Sequence, residues 1–162
     1  MRTVAPETSM RIENLANRDD LIEEVGRLHH EEWGHLTSEQ TLEDRAEKLR
    51  QFSGHGEIPT AFVATSKEGL LGTAMLVAHD MQRRPDLTPW LAGVYVKPEH
   101  RRTGVAAELI DRVAEAASRL GVTTLYLHTV TGLESFYTRL GWSPIEYCEY
   151  KGLDVVIMSR TL

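Results

Sequence analysis

The sequence contains one cysteine, no long apolar run and no excess of basic residues. The single cysteine, Cys148, cannot form a disulfide within the chain, which fits a reducing compartment. No uninterrupted apolar segment reaches the roughly 20 residues that a membrane-spanning helix needs. Residues 1–10 also lack the apolar stretch of a secretory signal. We therefore expect a cytoplasmic protein without a membrane partner.

The charge balance argues against a nucleic-acid partner. The formal net charge is −6, whereas nucleic-acid-binding surfaces normally carry a basic excess. The apolar fraction of 41% and the charged fraction of 26% are ordinary for a globular chain. We expect residues 1–162 to form a single domain with one core, preceded by a mobile tail at residues 1–9. A homodimer is compatible with the sequence, which leaves the oligomeric state open.

The spacing of apolar residues predicts an α/β chain in the order β-αα-βββ-α-β-α-ββ. Its first half holds a strand at Met10–Leu15, a helix ending near Gly34, a helix at Thr37–Gln51, and an antiparallel hairpin of Pro59–Thr65 and Leu70–Ala78. Its second half holds a strand at Leu91–Val96, a helix at Val105–Leu120, a strand at Thr123–His128, a short helix ending at Gly141, and a hairpin of Ile145–Tyr150 and Val155–Met158. Capping-box patterns, Thr37-x-x-Gln40 and Thr131-x-x-Glu134, mark two helix starts. The strand–helix–strand passage over residues 91–128 implies two parallel strands within a mixed sheet.

The segment Val94–Ala106 links a strand to the longest predicted helix. The first N–H groups of a helix lack partners within it, and the helix dipole adds partial positive charge there. Gly104 has no Cβ, so an anion could approach the backbone closely. Arg101 and Arg102 place two positive charges beside it. The segment therefore predicts an anion-binding site suited to a diphosphate.

Arg101-x-x-Gly104-x-Ala106 resembles the acyl-CoA diphosphate signature, Arg/Gln-x-x-Gly-x-Gly/Ala, of the GNAT superfamily of N-acyltransferases. The preceding Val-Tyr-Val-x-Pro-Glu-x-Arg and the later Phe136-Tyr137-x-x-Leu140-Gly141-Trp142 are also similar to that family. The likeness covers residues 90–142. It implies a GNAT-like fold, which is a mixed, mostly antiparallel sheet flanked by helices, with two parallel central strands splayed apart.

The resemblance implies acetyl-CoA as a co-substrate and direct transfer of its acetyl group to a primary amine. The cofactor-binding residues that it implies are Val94, Tyr95 and Val96 on the central strand, and Arg101, Arg102, Thr103, Gly104, Val105 and Ala106 around the diphosphate. A backbone N–H near Val94 would polarise the thioester carbonyl. A GNAT-like domain that senses acyl-CoA or an amine without turnover is the alternative function.

Tyr137 occupies the place of the family tyrosine that protonates the departing CoA thiolate. By this resemblance its phenol is the general acid, because a phenol can donate a proton without being ionised at neutral pH. The competing interpretation is a core aromatic, since Leu133, Tyr137 and Leu140 share one helical face.

The general base is less well defined by the sequence. Many family members carry a carboxylate on or beside the central strand, but Trp90–Val96 contains none. Asp80, at the far end of the preceding strand, is the nearest carboxylate and the candidate base. His79 and His128 flank the predicted strand ends as alternatives, and deprotonation through a water chain is equally compatible with the sequence.

The acceptor site is expected near the first two helices and the loop before Trp90, which border it in the family. Trp33 and Trp90 are the candidate substrate-binding residues, although Trp33 could equally be a packing aromatic. The motif His30-Glu31-x-x-x-His35 is one residue longer than the zinc-protease spacing, so we expect no metal. The acceptor could be a small molecule or a protein amine, and no signature identifies it.

Overall fold

The computed structural model describes residues 10–36, 40–51 and 56–162. Within these ranges, strands and α-helices follow one another in the predicted order. The strands are β1 (Arg11–Asn14), β2 (Thr60–Ser66), β3 (Gly69–Val77), β4 (Trp90–Val96), β5 (Thr124–Val130), β6 (Ser143–Tyr150) and β7 (Leu153–Thr161). The helices are α1 (Ile22–Trp33), α2 (Leu42–Arg50), α3 (Val105–Arg119) and α4 (Glu134–Arg139). The α/β architecture predicted from the sequence is therefore confirmed.

The strands form one seven-stranded sheet in the order β1-β2-β3-β4-β5-β7-β6. Neighbouring strands are antiparallel except β4 and β5, which run parallel. The parallel pair is joined at one register position, Trp90 opposite Tyr126. Beyond that position the two strands are unpaired. We call the opening between residues 91–96 of β4 and residues 127–130 of β5 the sheet gap; it is the splayed pair that the resemblance implied.

A β-bulge interrupts β4 where its pairing with β3 shifts by one residue. Gly93 lies in the bulge with a φ of +59°, a left-handed conformation that glycine adopts at little cost. The extra residue reverses the alternation of side chains along the strand. Tyr95 therefore packs on the same face as Trp90, whereas an unbroken strand would place the two on opposite faces.

Helices cover both faces of the sheet. Helix α3 buries Leu109, Ile110 and Val113 against one face, because these residues recur at helical spacing. Helices α1 and α2 bury Val25 and Leu49, among others, against the other face. Each such side chain contributes about 1.5–3 kcal/mol on leaving water. We call the two sides the α3 face and the α1 face.

The second helix begins later than predicted. Helix α2 starts at Leu42, and its capping box is formed by Thr41 and Asp44. The Asp44 N–H donates to the Thr41 hydroxyl and the Thr41 N–H donates to the Asp44 carboxylate, each at 3.0 Å. Gln40, the other half of the predicted box, precedes the helix, and Thr37 lies outside the described residues. A carboxylate three residues after Thr41 completes the reciprocal pair.

The predicted capping box at Thr131 and Glu134 does not form. Thr131–Leu133 instead makes a turn of 3-10 helix, and no side chain among the described residues caps it or α4. The Glu134 carboxylate accepts a hydrogen bond from the Tyr147 hydroxyl at 2.7 Å. A contact with strand β6 has therefore replaced the local cap.

Candidate functional site

The predicted anion site lies at the N-terminus of α3. Gly104 is the N-cap residue with a φ of +88°, and no side chain of the described residues caps this helix. The first N–H groups of α3 are therefore available to a ligand. A Cβ built on Gly104 would meet no atom within 4 Å, so open space adjoins this backbone. Residues 101–104 are exposed, and together with the helix N-terminus they form what we call the cradle.

Arg101 is fixed against the end of β4. Its Nε donates to the Val96 carbonyl at 2.8 Å, and its guanidinium carbon lies 5.5 Å from the centre of the Tyr95 ring. Trp33 makes an edge-on contact with the same ring, at 6.2 Å between centroids. The strand thus holds a positive charge beside the cradle, while the two terminal nitrogens of the guanidinium remain for a ligand. Trp33 reaches this strand from α1.

A buried hydrogen-bond chain supports the bulge of β4. The Thr73 hydroxyl donates to the Gly93 carbonyl at 2.9 Å. Because its one proton is used there, it accepts from the Nε2–H of His29, also 2.9 Å away. Burial, with the charge of Arg45 as a second cause, lowers the pKa of His29 to about 4, so the ring is neutral at pH 7. The sequence analysis did not predict this hydrogen-bond chain. Its one sequence signal is Gly93, a glycine inside a predicted strand.

Tyr137 is buried on the α3 face. Its ring packs edge-on against Phe136, at 5.0 Å between centroids, and against Trp142 at 6.3 Å. Burial raises the pKa of Tyr137 to about 12, so the phenol is protonated at neutral pH. Among the described residues the Tyr137 hydroxyl has no hydrogen-bond partner. Its proton is therefore free for a ligand, although the ring also serves as part of the core.

Asp80, the candidate base, is paired with His128. The Asp80 Oδ2 lies 2.9 Å from the His128 Nε2, and the side chains are 32% and 21% exposed. Trp90 packs edge-on against His128, at 5.9 Å between ring centroids, and its Nε1 donates to the Leu87 carbonyl at 2.7 Å. Trp90 itself has no exposed surface. It therefore belongs to a core cluster of the sheet, beside the pair of Asp80 and His128.

The predicted residues are distributed around the sheet gap. Val94, Tyr95 and Val96 border it on β4, beyond the paired position and before the cradle. Tyr137 belongs to the core cluster of the α3 face, whereas Trp33 contacts residues of the α1 face. Two open grooves between α1 and α2 contain none of the predicted site residues. The gap and its two flanks are therefore the candidate active site.

The sequence profile of the acetyltransferase (GNAT) family matches residues 19–142, which is more than half of the chain. The chain belongs to this family. The match includes both the cradle and Tyr137, and GNAT membership supports acyltransferase activity. No curated protein matches the sequence. Among the described residues, no helix has the length and apolar character to span a membrane.

Solved structures share the GNAT fold at low sequence identity. Aminoglycoside 6'-N-acetyltransferase complexed with coenzyme A has a TM-score of 0.71 and 16% identity, covering 93% of this chain and 96% of that chain. A GNAT-family acetyltransferase from Streptococcus pneumoniae has a TM-score of 0.69 and 16% identity, covering 95% and 99%. A spermidine N-acetyltransferase chimera that includes Vibrio cholerae sequence has a TM-score of 0.66 and 18% identity, covering 94% and 95%. At these identities the likeness establishes the fold alone.

Proposed function

We propose that this GNAT protein transfers an acetyl group from acetyl-CoA to a primary amine. The observation that carries the proposal is the position of the cradle, which adjoins the end of β4 directly beyond the sheet gap. A ligand with a diphosphate at the cradle and an extended arm could pass along β4 into the gap. Acetyl-CoA has this form, and it supplies a reactive thioester at the end of the arm.

The residues around the cradle fit a diphosphate. Backbone N–H groups of residues 102–106 offer donors at the positive end of the α3 dipole, and Arg101 and Arg102 offer charge. Arg102 has a φ of 64° and Gly104 has a φ of 88°, so the loop turns twice through the left-handed region. Such turns direct successive N–H groups toward a common side, which suits binding of an anion by the backbone.

The bulge of β4 would contribute a further donor. Where a β-bulge interrupts a strand that borders an unpaired neighbour, backbone N–H groups lack a partner in the sheet. Val94 lies in the bulge of β4, next to the sheet gap. Its N–H would polarise the carbonyl of a thioester in the gap, as an oxyanion donor does. The chain from His29 through Thr73 to the Gly93 carbonyl would hold that peptide in position.

Tyr137 would act as the general acid on the sulfur. With a pKa of about 12 the phenol holds its proton, but full transfer to a thiolate, whose thiol has a pKa of about 8.5, is uphill by roughly 5 kcal/mol. The hydroxyl would therefore stabilise the departing sulfur by donating a hydrogen bond while the carbon–sulfur bond breaks. This role requires no phenolate, which burial disfavours.

The experiment that tests the proposed function is an assay of CoA thiol release with a panel of amines. The panel should include aminoglycosides and spermidine, because similar folds carry those names, together with amino acids and peptides. Acetylated product identified by mass spectrometry would support the enzyme. Thermal protection by acetyl-CoA without turnover on any acceptor would favour the sensing domain, and protection equal to that by nicotinamide dinucleotides would refute specific CoA binding.

A further inference from the structure

The hydrogen-bonded pair of Asp80 and His128 joins two parts of the chain that are distant in sequence. Asp80 follows β3, and His128 lies in β5. The Oδ2–Nε2 distance is 2.9 Å, and both side chains are partly exposed. A carboxylate accepts hydrogen bonds and does not donate them. The imidazole hydrogen of this pair therefore lies on Nε2, and Nδ1 of a neutral His128 carries a lone pair.

His128 is placed where the parallel strands separate. It follows Tyr126, the last residue of β5 with a partner on β4, by two positions and therefore projects to the same face. That face is the α1 face, since Tyr126 packs against its core cluster. Tyr137 belongs to the cluster of the opposite face. The two groups that can exchange protons thus flank the sheet gap from opposite sides.

The neighbours of the pair hold it in a fixed orientation. The rings of Trp90 and Tyr150 meet His128 edge-on, at 5.9 Å and 5.4 Å between centroids. The segment that carries Asp80 is tied to strand β6, because Arg83 Nη1 donates to the Glu149 carbonyl at 2.7 Å. The next residue, Arg84, pairs with Glu146 of the same strand.

The charged groups around the pair lie on several elements. Burial, and then the Asp80 carboxylate, raises the pKa of the Tyr150 hydroxyl, while Arg83 opposes this change. Lys151 lies over the Tyr150 ring, with its Nζ 5.5 Å from the centroid. Asp80 thus lies in a cluster that also contains Arg83, Tyr150 and Lys151. Its hydrogen bond to His128 fixes the tautomer of that ring with the hydrogen on Nε2.

We propose that His128 is the general base of the acetyl transfer and that Asp80 is the residue that positions it. This inference rests on the proposed function. Imidazole is the commonest general base in enzymes that act near neutral pH. The carboxylate that orients the ring through Nε2–H would stabilise the imidazolium that forms. Asp80 is thus assigned an indirect role in place of the direct one predicted from the sequence.

The step balances in atoms and protons. Nδ1 of His128 takes one proton from the bound ammonium and releases it to solvent, which leaves the amine uncharged. The amine nitrogen then forms a bond to the acetyl carbon, and the carbon–sulfur bond breaks with its electron pair remaining on sulfur, which accepts a hydrogen bond from the Tyr137 hydroxyl. The nitrogen loses its second proton to solvent, and the thiolate takes one proton from solvent, so that one proton is released overall. The products are an amide and a free thiol.

The test compares His128→Gln, Asp80→Asn and the competing candidate His79→Gln in the full chain with an acceptor found by the amine panel. His79 is an exposed histidine next to Asp80 in sequence. We expect kcat/KM at pH 7 to fall at least tenfold in His128→Gln, with KM for acetyl-CoA nearly unchanged. The loss should shrink as the pH rises toward that at which the amine deprotonates in solution. Asp80→Asn should lose less. A larger loss in His79→Gln than in His128→Gln would overturn the assignment, because His79 is the alternative base.

The tautomer of His128 can be measured without any substrate. Nitrogen-15 spectra of the imidazole rings should show His128 with its hydrogen on Nε2 in wild type, and Asp80→Asn should reduce the preference for that tautomer. Wild-type rates in His128→Gln, or a loss that is the same at every pH, would show that the pair only joins β5 to the segment after β3. An Nδ1–H tautomer would also overturn the proposal. A wild-type protein inactive on every amine would refute the proposed function instead, and the spectra would still decide whether the pair is built as described.

Discussion

The buried ring of His29 makes the stability of the fold depend on pH. In the unfolded chain this imidazole titrates with its ordinary pKa of 6.5, whereas burial and the charge of Arg45 lower the folded-state pKa of His29 to about 4. Between these values the unfolded chain binds a proton that the folded chain does not bind. The fold is therefore destabilised as the pH falls from 6.5 toward 4, and this contribution is constant below that range.

The magnitude follows from the two pKa values. At pH 5 an unfolded histidine is almost fully protonated, while the folded His29 ring is mostly neutral. The free energy of unfolding should be lower at pH 5 than at pH 7.5 by about 2 kcal/mol through this group alone, and by about 3 kcal/mol below pH 4. These figures are a large share of the 5–15 kcal/mol that stabilises typical domains.

Urea unfolding at pH 7.5 and pH 5.0 checks this expectation in wild type, His29→Gln and His79→Gln. Glutamine keeps a side-chain N–H but does not titrate, so His29→Gln should lose about 2 kcal/mol less than wild type on acidification. His79→Gln removes an exposed imidazole and should lose as much as wild type. The carboxylates common to all three proteins cancel in the comparison. If His29→Gln and wild type weaken in parallel, the ring is not held neutral by the fold.

Three further expectations concern the proposed site. Tyr137→Phe should lower the single-turnover rate at least tenfold with little change in acetyl-CoA affinity, whereas Tyr147→Phe, which also deletes a hydroxyl, should not; equal rates would assign Tyr137 to packing. Gly104→Glu should abolish CoA binding measured by calorimetry, while Gly121→Glu, at the other end of α3 with a similar φ of 85°, should bind normally; unchanged affinity in Gly104→Glu would refute the cradle. Thr73→Val should lower the free energy of unfolding, measured in urea, by about 1–3 kcal/mol, because the His29 Nε2–H and the Gly93 carbonyl lose their partner. An unchanged free energy would mean that this hydrogen-bond chain does not stabilise the fold.

The loop and helix that make up the cradle could be predicted from the sequence because their signals are local; their role as an anion site stays a prediction. A strand pattern, two arginines, one glycine and a strong amphipathic pattern lie within a single short stretch, and the structure places α3 at Val105–Arg119 as expected. Gly121 follows the helix with a φ of 85°, the conformation expected after a helix end. Each of these features depends on neighbours only a few residues away, so propensity and pattern suffice.

The Asp80–His128 pair and the buried hydrogen-bond chain of His29, Thr73 and Gly93 could not be predicted in the same way. Asp80 meets His128, and His29 meets Thr73, only because β3, β5 and α1 are brought together by the sheet. No sequence pattern records which polar groups face each other across such a distance. Composition also gave no warning that Trp90, predicted to line the acceptor site, is fully buried. The difference at α2 is of another kind, since Thr41 and Asp44 fit the same type of capping pattern as Thr37 and Gln40.

The sheet gap explains why an acid and a base on opposite faces could act on one molecule. A continuous sheet would separate Tyr137 from His128 by a layer of paired backbone that no substrate crosses. Because β4 and β5 part after Trp90, a ligand in the gap would be open to both faces. The proton taken from nitrogen and the hydrogen bond donated to sulfur would then lie in different environments, so a base able to take a proton from the amine need not take one from the Tyr137 hydroxyl. The site therefore lowers the stability of the fold, because β4 and β5 do not form the hydrogen bonds of a continuous sheet. Each such bond would contribute about 0.5–1.5 kcal/mol to the free energy of unfolding.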